Sequence, residues 1–202
     1  TLHVKDLDTG ALGPERIEKV AAVAWSADPG ILFYVTEDDA KRPYRLYRHR
    51  LGATGPDDLL FEETDALFRL HVARSRSLAY LFLSSRSFTS TEVRYLPAAT
   101  PSGPWTLIAG RELDHEYEVD HGVGAGGDLF YIRTNGAGLR NFRLVTAPVA
   151  DPGRSRWTEL IPHRADVMLE DVDVFAGHYV THEREDGLLR LGTPRRLTLG
   201  RQ

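Results

Sequence analysis

The sequence predicts an all-β fold, a partial β-propeller of about four blades with four antiparallel strands in each. Three observations carry this prediction. Aromatic residues Tyr34, Phe82, Tyr131 and Tyr179 recur at separations of 48, 49 and 48 residues. Arginines flanked by apolar residues, Arg45, Arg94, Arg143 and Arg190, keep step at separations of 49, 49 and 47. Each unit also repeats one grammar: a strand, a tight turn, an aromatic strand, a polar turn, a strand alternating about the arginine, then a loop and a fourth strand. Strand-rich repeats of ~40 to 50 residues with four strands per unit are the signature of a propeller.

Residues 1–20 read as the end of a preceding blade, with "LHVKDLDTG" as its third strand and turn and "ERIEKV" as its fourth strand. A helix competes for this segment. Ile17, Val20, Ala21 and Ala24 match the i, i+3, i+4, i+7 template, and Glu, Lys and Ala favour it. The repeat overrides that local signal, because it makes "AVAWS" the first strand of the next unit. Residues 21–64 form that blade, from "AVAWS" through "ILFYV" and the strand around Arg45 to "DLLFEE". Residues 65–112 form the next, running from "RLHVA" to the fourth strand "WTLIAG". Residues 113–164 follow, from "YEVDH" to "WTELIP", and residues 165–202 make a last blade whose fourth strand falls on "RLTLG". Proline and glycine in "ATPSGP" and "VADPGRS" mark the loops before two of the fourth strands.

The stretch "HGVGAGGDLFYIRTN" tests whether this fold carries a cofactor. Gly122, Gly124 and Gly127 satisfy the GxGxxG spacing of a dinucleotide-binding loop. That motif works only when a helix follows, because the helix N-terminus binds the phosphates. Here an apolar, aromatic run follows, Leu129 to Ile132, closed by a Thr-Asn-Gly turn, and it reads as a strand. "HGVGAGG" also occupies the place held by "SADPG" and "RSRS" in other units, so its glycines are expected in a hairpin turn. No cofactor is assigned.

Other chemistry is equally thin. The chain has no cysteine, which excludes disulfides and cysteine-ligated zinc and fits a reducing compartment. A net charge of −4, with scattered basic residues, gives nucleic acid no electropositive stripe. Apolar runs such as "AYLFL" fall far short of the ~20 residues a membrane-spanning helix needs. His115 and His121 would share a strand face, yet six residues apart they match no known zinc pattern, and no metal site is assigned. No serine, from Ser26 to Ser155, lies in a GxSxG elbow, and no catalytic residue is assigned. The acids of "TEDDA", "FEETD" and "LEDVD" are expected at strand ends and turns, where carboxylates cap backbone. Glycosidase chemistry would need two of them flanking one bond. The repeated arginines are expected to cover apolar surface with their stems and reach water or a carboxylate.

The runs "SFTSTEVRYLPA", "RELDHEYEVDHG", "LFYIRTNGAGLRNFRLVTAPV" and "WTELIPHRADVMLEDVDVFAGHYVTHEREDGLLRL" resemble the oligopeptidase B (protease II) branch of the prolyl oligopeptidase family of serine peptidases. The likeness runs from about Leu2 to Leu191, and "DHEY", "NFRL" and "ELIPHR" are specific to that branch; the "GVGAGG" turn departs from it. The resemblance implies a seven-bladed propeller, of which this chain holds about four blades, covering a C-terminal α/β-hydrolase domain with the Ser-Asp-His triad. It implies a cytoplasmic enzyme that cleaves short peptides after arginine or lysine. No triad position has a match here, so the chain is expected to be a noncatalytic, gating segment; a stand-alone interaction scaffold is the alternative. Arg42, Asp38 and Asp39 are candidate groups on the domain-facing rim. An open arc leaves a blade face bare at each end, so self-association is also expected.

Overall fold

The computed structural model describes residues 1–124 and 127–192, and among these no α-helix occurs. Strands β1 (Leu2–Lys5) and β2 (Leu12–Ile17) form a two-stranded antiparallel sheet. The competing helix over residues 15–24 does not form. Lys19 takes a left-handed conformation at φ 57°, which breaks helical geometry and separates β2 from β3.

Three four-stranded sheets follow. The first holds β3 (Val20–Trp25), β4 (Ile31–Glu37), β5 (Pro43–Arg50) and β6 (Asp58–Glu62). The second holds β7 (Arg69–Arg74), β8 (Tyr80–Arg86), β9 (Thr91–Pro97) and β10 (Thr106–Ala109). The third holds β11 (Tyr117–Gly124), β12 (Gly127–Thr134), β13 (Arg143–Pro148) and β14 (Thr158–Ile161). A last sheet contains β15 (Val167–Phe175), β16 (His178–Glu185) and β17 (Leu188–Gly192); the expected strand "RLTLG" lies outside the described residues. In every sheet the strands pair antiparallel with their sequence neighbours, the meander of a propeller blade.

The periodic aromatics mark the second strand of each sheet, and all four are buried, Tyr34 at 5%, Phe82 at 6%, Tyr131 at 2% and Tyr179 at 6% exposure. Burial against the neighbouring sheet is what fixes the period. Between the first two blades lies an aliphatic core of Phe33, Val35, Leu46, Leu70, Leu83 and Leu96 with the Trp105 ring edge-on to Phe33. Between the second and third, Phe82, Phe130 and Tyr117 pack with Ile132 and Val145. Tyr131, Phe142, Leu144, Val174 and Tyr179 fill the junction with the last blade. First strands converge, β3 against β7 and β11 against β15, and so line the axis.

The glycine-rich stretch is a hairpin, as Gly124 pairs with Gly127 across its end. One part of the expectation needs correcting. Gly122 lies inside β11, and a Cβ there would sit 2.5 Å from Val174 Cγ1, so this glycine serves close packing of the last blade. Of the three glycines, Gly127 alone takes a positive φ, +96°.

Candidate functional site

Antiparallel order gives the arc two distinct rims. Each first strand starts, and each fourth strand ends, on the same rim, which also carries the turns between second and third strands. We term this the linking rim, because the blade-to-blade connections run along it. The opposite, hairpin rim carries the turns between first and second strands.

On the linking rim, the second turn of each of the three four-stranded blades grips the connection to the next blade. Arg42 Nη1 donates to the carbonyls of Glu63 and Asp65 at 3.2 and 3.1 Å, while its Nε pairs with Asp38 at 3.3 Å. Ser90 Oγ donates to the Glu112 carbonyl at 2.7 Å, and the Thr91 amide donates to the His115 carbonyl at 2.9 Å. The Asn141 amide donates to the carbonyls of Arg164 and Ala165 at 3.0 and 2.8 Å. Of the expected rim groups, Arg42 and Asp38 are thus spent inside the fold. Asp39 stays exposed and pairs with Lys19 at 2.6 Å.

Buried polar groups reinforce this rim. Glu63, 3% exposed, accepts from Ser85 Oγ at 2.5 Å and from Arg111 Nη2 at 2.7 Å. Burial alone would raise its carboxyl, but the Arg111 and Ser85 hydrogen bonds override that and hold it below the ordinary value. The Arg111 guanidinium lies 3.9 Å from the Phe68 ring centroid. His115 precedes β11 instead of lying on it, bonding Thr134 Oγ1 through Nε2 at 2.8 Å and Arg154 through Nδ1 at 2.5 Å. Burial, aided by the Arg154 charge, holds its imidazole below the usual value. His115 and His121 therefore do not share a strand face. Their separate partners follow from the turn before β11.

The hairpin rim is less closed. Ser77 Oγ meets His121 Nδ1 at 2.7 Å, and the Arg76 amide donates to Asp120 at 3.2 Å. The Arg76 side chain passes over the third blade to pair with Asp173 of the last one, and Asp173 also accepts from His182 Nε2 at 2.9 Å. The His182 hydrogen bond, with Arg76 adding to it, holds the Asp173 carboxyl low against a modest opposing effect of burial. Asp120 is held high by its own burial. The acids of "LEDVD", expected at a strand end, lie inside β15 along the axis. A β-bulge between Leu169 and Asp171 shifts their register there.

The periodic arginines meet carboxylates, as expected. Arg45 pairs with Glu62 at 2.8 Å and Arg143 with Glu159 at 3.2 Å, each on the adjoining fourth strand. Arg94 pairs with Glu92 and lies over the Phe61 ring at 4.6 Å; Arg190 pairs with Glu185 at 2.6 Å. Sequence reasoning placed Glu63 among the backbone-capping acids of "FEETD" without its Arg111 partner, and missed Ser77 and Arg76. One signal was available: Ser26 and Ser75 stand 49 residues apart, both 3% exposed, each opening a first-to-second-strand turn.

Residues 1–198 match the family model described as prolyl oligopeptidase, N-terminal beta-propeller domain. The chain belongs to this family. The propeller is 39% identical over 191 residues to dipeptidyl aminopeptidase BI of Pseudoxanthomonas mexicana, covering 93% of this chain and 26% of that protein. It is 31% identical to protease 2 of Moraxella lacunata, covering 95% of this chain and 27% of that one. The structure of oligopeptidase B from Leishmania major superposes with a TM-score of 0.76 at 30% identity, over 85% of this chain and 24% of that one. The propeller thus spans about a quarter of the length of the curated relatives it matches.

Proposed function

We propose that this propeller is the noncatalytic gating domain of a cytoplasmic serine oligopeptidase that cleaves short peptides after arginine or lysine. Its chemistry would come from an α/β-hydrolase domain of the same parent chain. The observation that carries the reading is the polarity of the blades. Every first strand starts and every fourth strand ends on the linking rim, so chain flanking the ring leaves from that rim. A catalytic domain attached there rests on the surface that the turn clasps and the Glu63–Arg111 pair hold rigid. A stiff ring over a nucleophile admits short peptides and excludes folded proteins, and movement between the two domains times their entry. The specificity for basic residues is supported by the likeness to protease 2 and oligopeptidase B.

The test is turnover by the full parent protein of amino-blocked arginyl, lysyl and prolyl chromogenic peptides, beside a folded protein carrying exposed arginines. The reading expects cleavage of the arginyl and lysyl peptides, with the folded protein spared. Preference for the prolyl peptide overturns the specificity, and turnover by this chain alone overturns the noncatalytic assignment. A second reading, removal of dipeptides from free amino termini, is favoured by the 39% identity to dipeptidyl aminopeptidase BI. It predicts that blocking the amino terminus abolishes turnover.

A further inference from the structure

Three turns of the linking rim around the second blade carry large apolar side chains at their tips. Leu67, on the connection from the first blade to the second, is 73% exposed, and Leu113, on the connection from the second to the third, is 87% exposed. Phe88, in the turn between β8 and β9, is 97% exposed. Turns favour glycine, proline and small polar residues for backbone reasons, so nothing local calls for leucine or phenylalanine here. Apolar surface gathered on one rim and left in water marks a place where another surface belongs.

The three tips stand on bases that the fold holds together. Ser90 Oγ and the Thr91 amide, just past Phe88, bind the carbonyls of Glu112 and His115, which bracket Leu113. Arg111 links that connection to the earlier one, because its guanidinium lies on the buried ring of Phe68, next to Leu67, and pairs with Glu63. Exposed charged residues border the set, Asp39 and Lys41 in the first blade's second turn and Arg140 in the third blade's. An apolar centre with a charged border, on a fixed base, is the anatomy of a contact surface.

We propose that Leu67, Phe88 and Leu113 form the docking face for the catalytic domain of the parent chain. This propeller covers 26% and 27% of two of its relatives, so most of each lies outside it, and chain flanking the ring leaves from this same rim. Contact through three side-chain tips buries little area, which suits two domains that part and close again. The choice of occupant rests on the gating reading; the exposure of the tips and the bonds beneath them do not.

Irradiation of the full parent protein carrying Phe88→p-benzoylphenylalanine tests the proposal, with the linked peptides mapped by mass spectrometry. Links within one molecule to the catalytic domain are expected, in a yield that does not fall on dilution. Links between two copies, falling on dilution, overturn the occupant in favour of self-association, and links to other blades overturn it as well. Hydroxyl-radical footprinting of the unmodified parent gives a second measurement. Phe88 should be oxidised about fivefold more slowly than phenylalanine in a short unstructured peptide, and an equal rate overturns the docking face. Leu67→Glu with Leu113→Glu alters only exposed tips but places carboxylates in the contact, and should cut the link yield about threefold. An unchanged yield overturns the part of the two leucines. These readouts report contact, so a parent without arginine preference can still pass them, and one with that preference can still fail.

Discussion

The two rims of the arc are made of the same kind of turn residues but solve different problems. On the linking rim, Arg42, Ser90 and Asn141 hand their donors to the next blade's connection, and Glu63 is fully engaged by Ser85 and Arg111. On the hairpin rim, His121 keeps an unmatched nitrogen beside a cleft lined by Arg76, Val123 and Phe175. Hydrogen bonds that cross from blade to blade fix the linking rim as a platform, whereas the hairpin rim is held by close packing at Gly122 and by the Arg76–Asp173 ion pair.

The largest loss is expected at Glu63. Glu63→Ala strips a buried carboxylate from Arg111 and should destabilise the domain by about 3 kcal/mol, read by chemical denaturation. Gly122→Ala tests the hairpin rim by overpacking. Its Cβ must displace Val174, at a cost of about 1 to 3 kcal/mol, and it should also narrow the cleft. Asn141→Ala removes one clasp and leaves two carbonyls wanting; a loss of about 1 to 2 kcal/mol is expected in the same denaturation assay.

Acid sharpens the contrast further. His115 and His121 are held neutral by burial, with folded values below the ordinary imidazole range. A group whose folded value is depressed contributes stability that is present above about pH 6.5 and lost as pH falls toward the folded value. Thermal melts should therefore weaken as the pH drops from 7 toward 5, and His121→Phe should flatten part of that slope. Glu63, also depressed, adds its loss at lower pH, below the ordinary carboxylate range. The smallest effect is expected at Arg76→Gln, about 1 kcal/mol or less, because its ion pair is half exposed.

Periodicity made the blades legible. Tyr34, Phe82, Tyr131 and Tyr179 recur because each second strand turns this position into the buried interior, and that demand is local to the repeat. The strand character of this segment was legible only through the repeat, since local propensity favoured a helix; the turn at Lys19, inside the expected strand "ERIEKV", was not. The rims were harder to read. Arg42, Ser90 and Asn141 do the same work with three chemistries, so no residue type recurs to betray them. The cleft draws on residues as distant in sequence as Ser77, His121 and Phe175. "HGVGAGG" was legible as a hairpin, but its tight packing at Gly122 needed the last blade beside it.

The grip of the second turn on the following connection, repeated in the three four-stranded blades, has a consequence for how the chain assembles. Every fastening joins a segment already made to one that emerges shortly after it, so ordering can spread from neighbour to neighbour without waiting for distant sequence. A whole repeat could be added or removed, with each newly adjacent pair still buckled by its own turn.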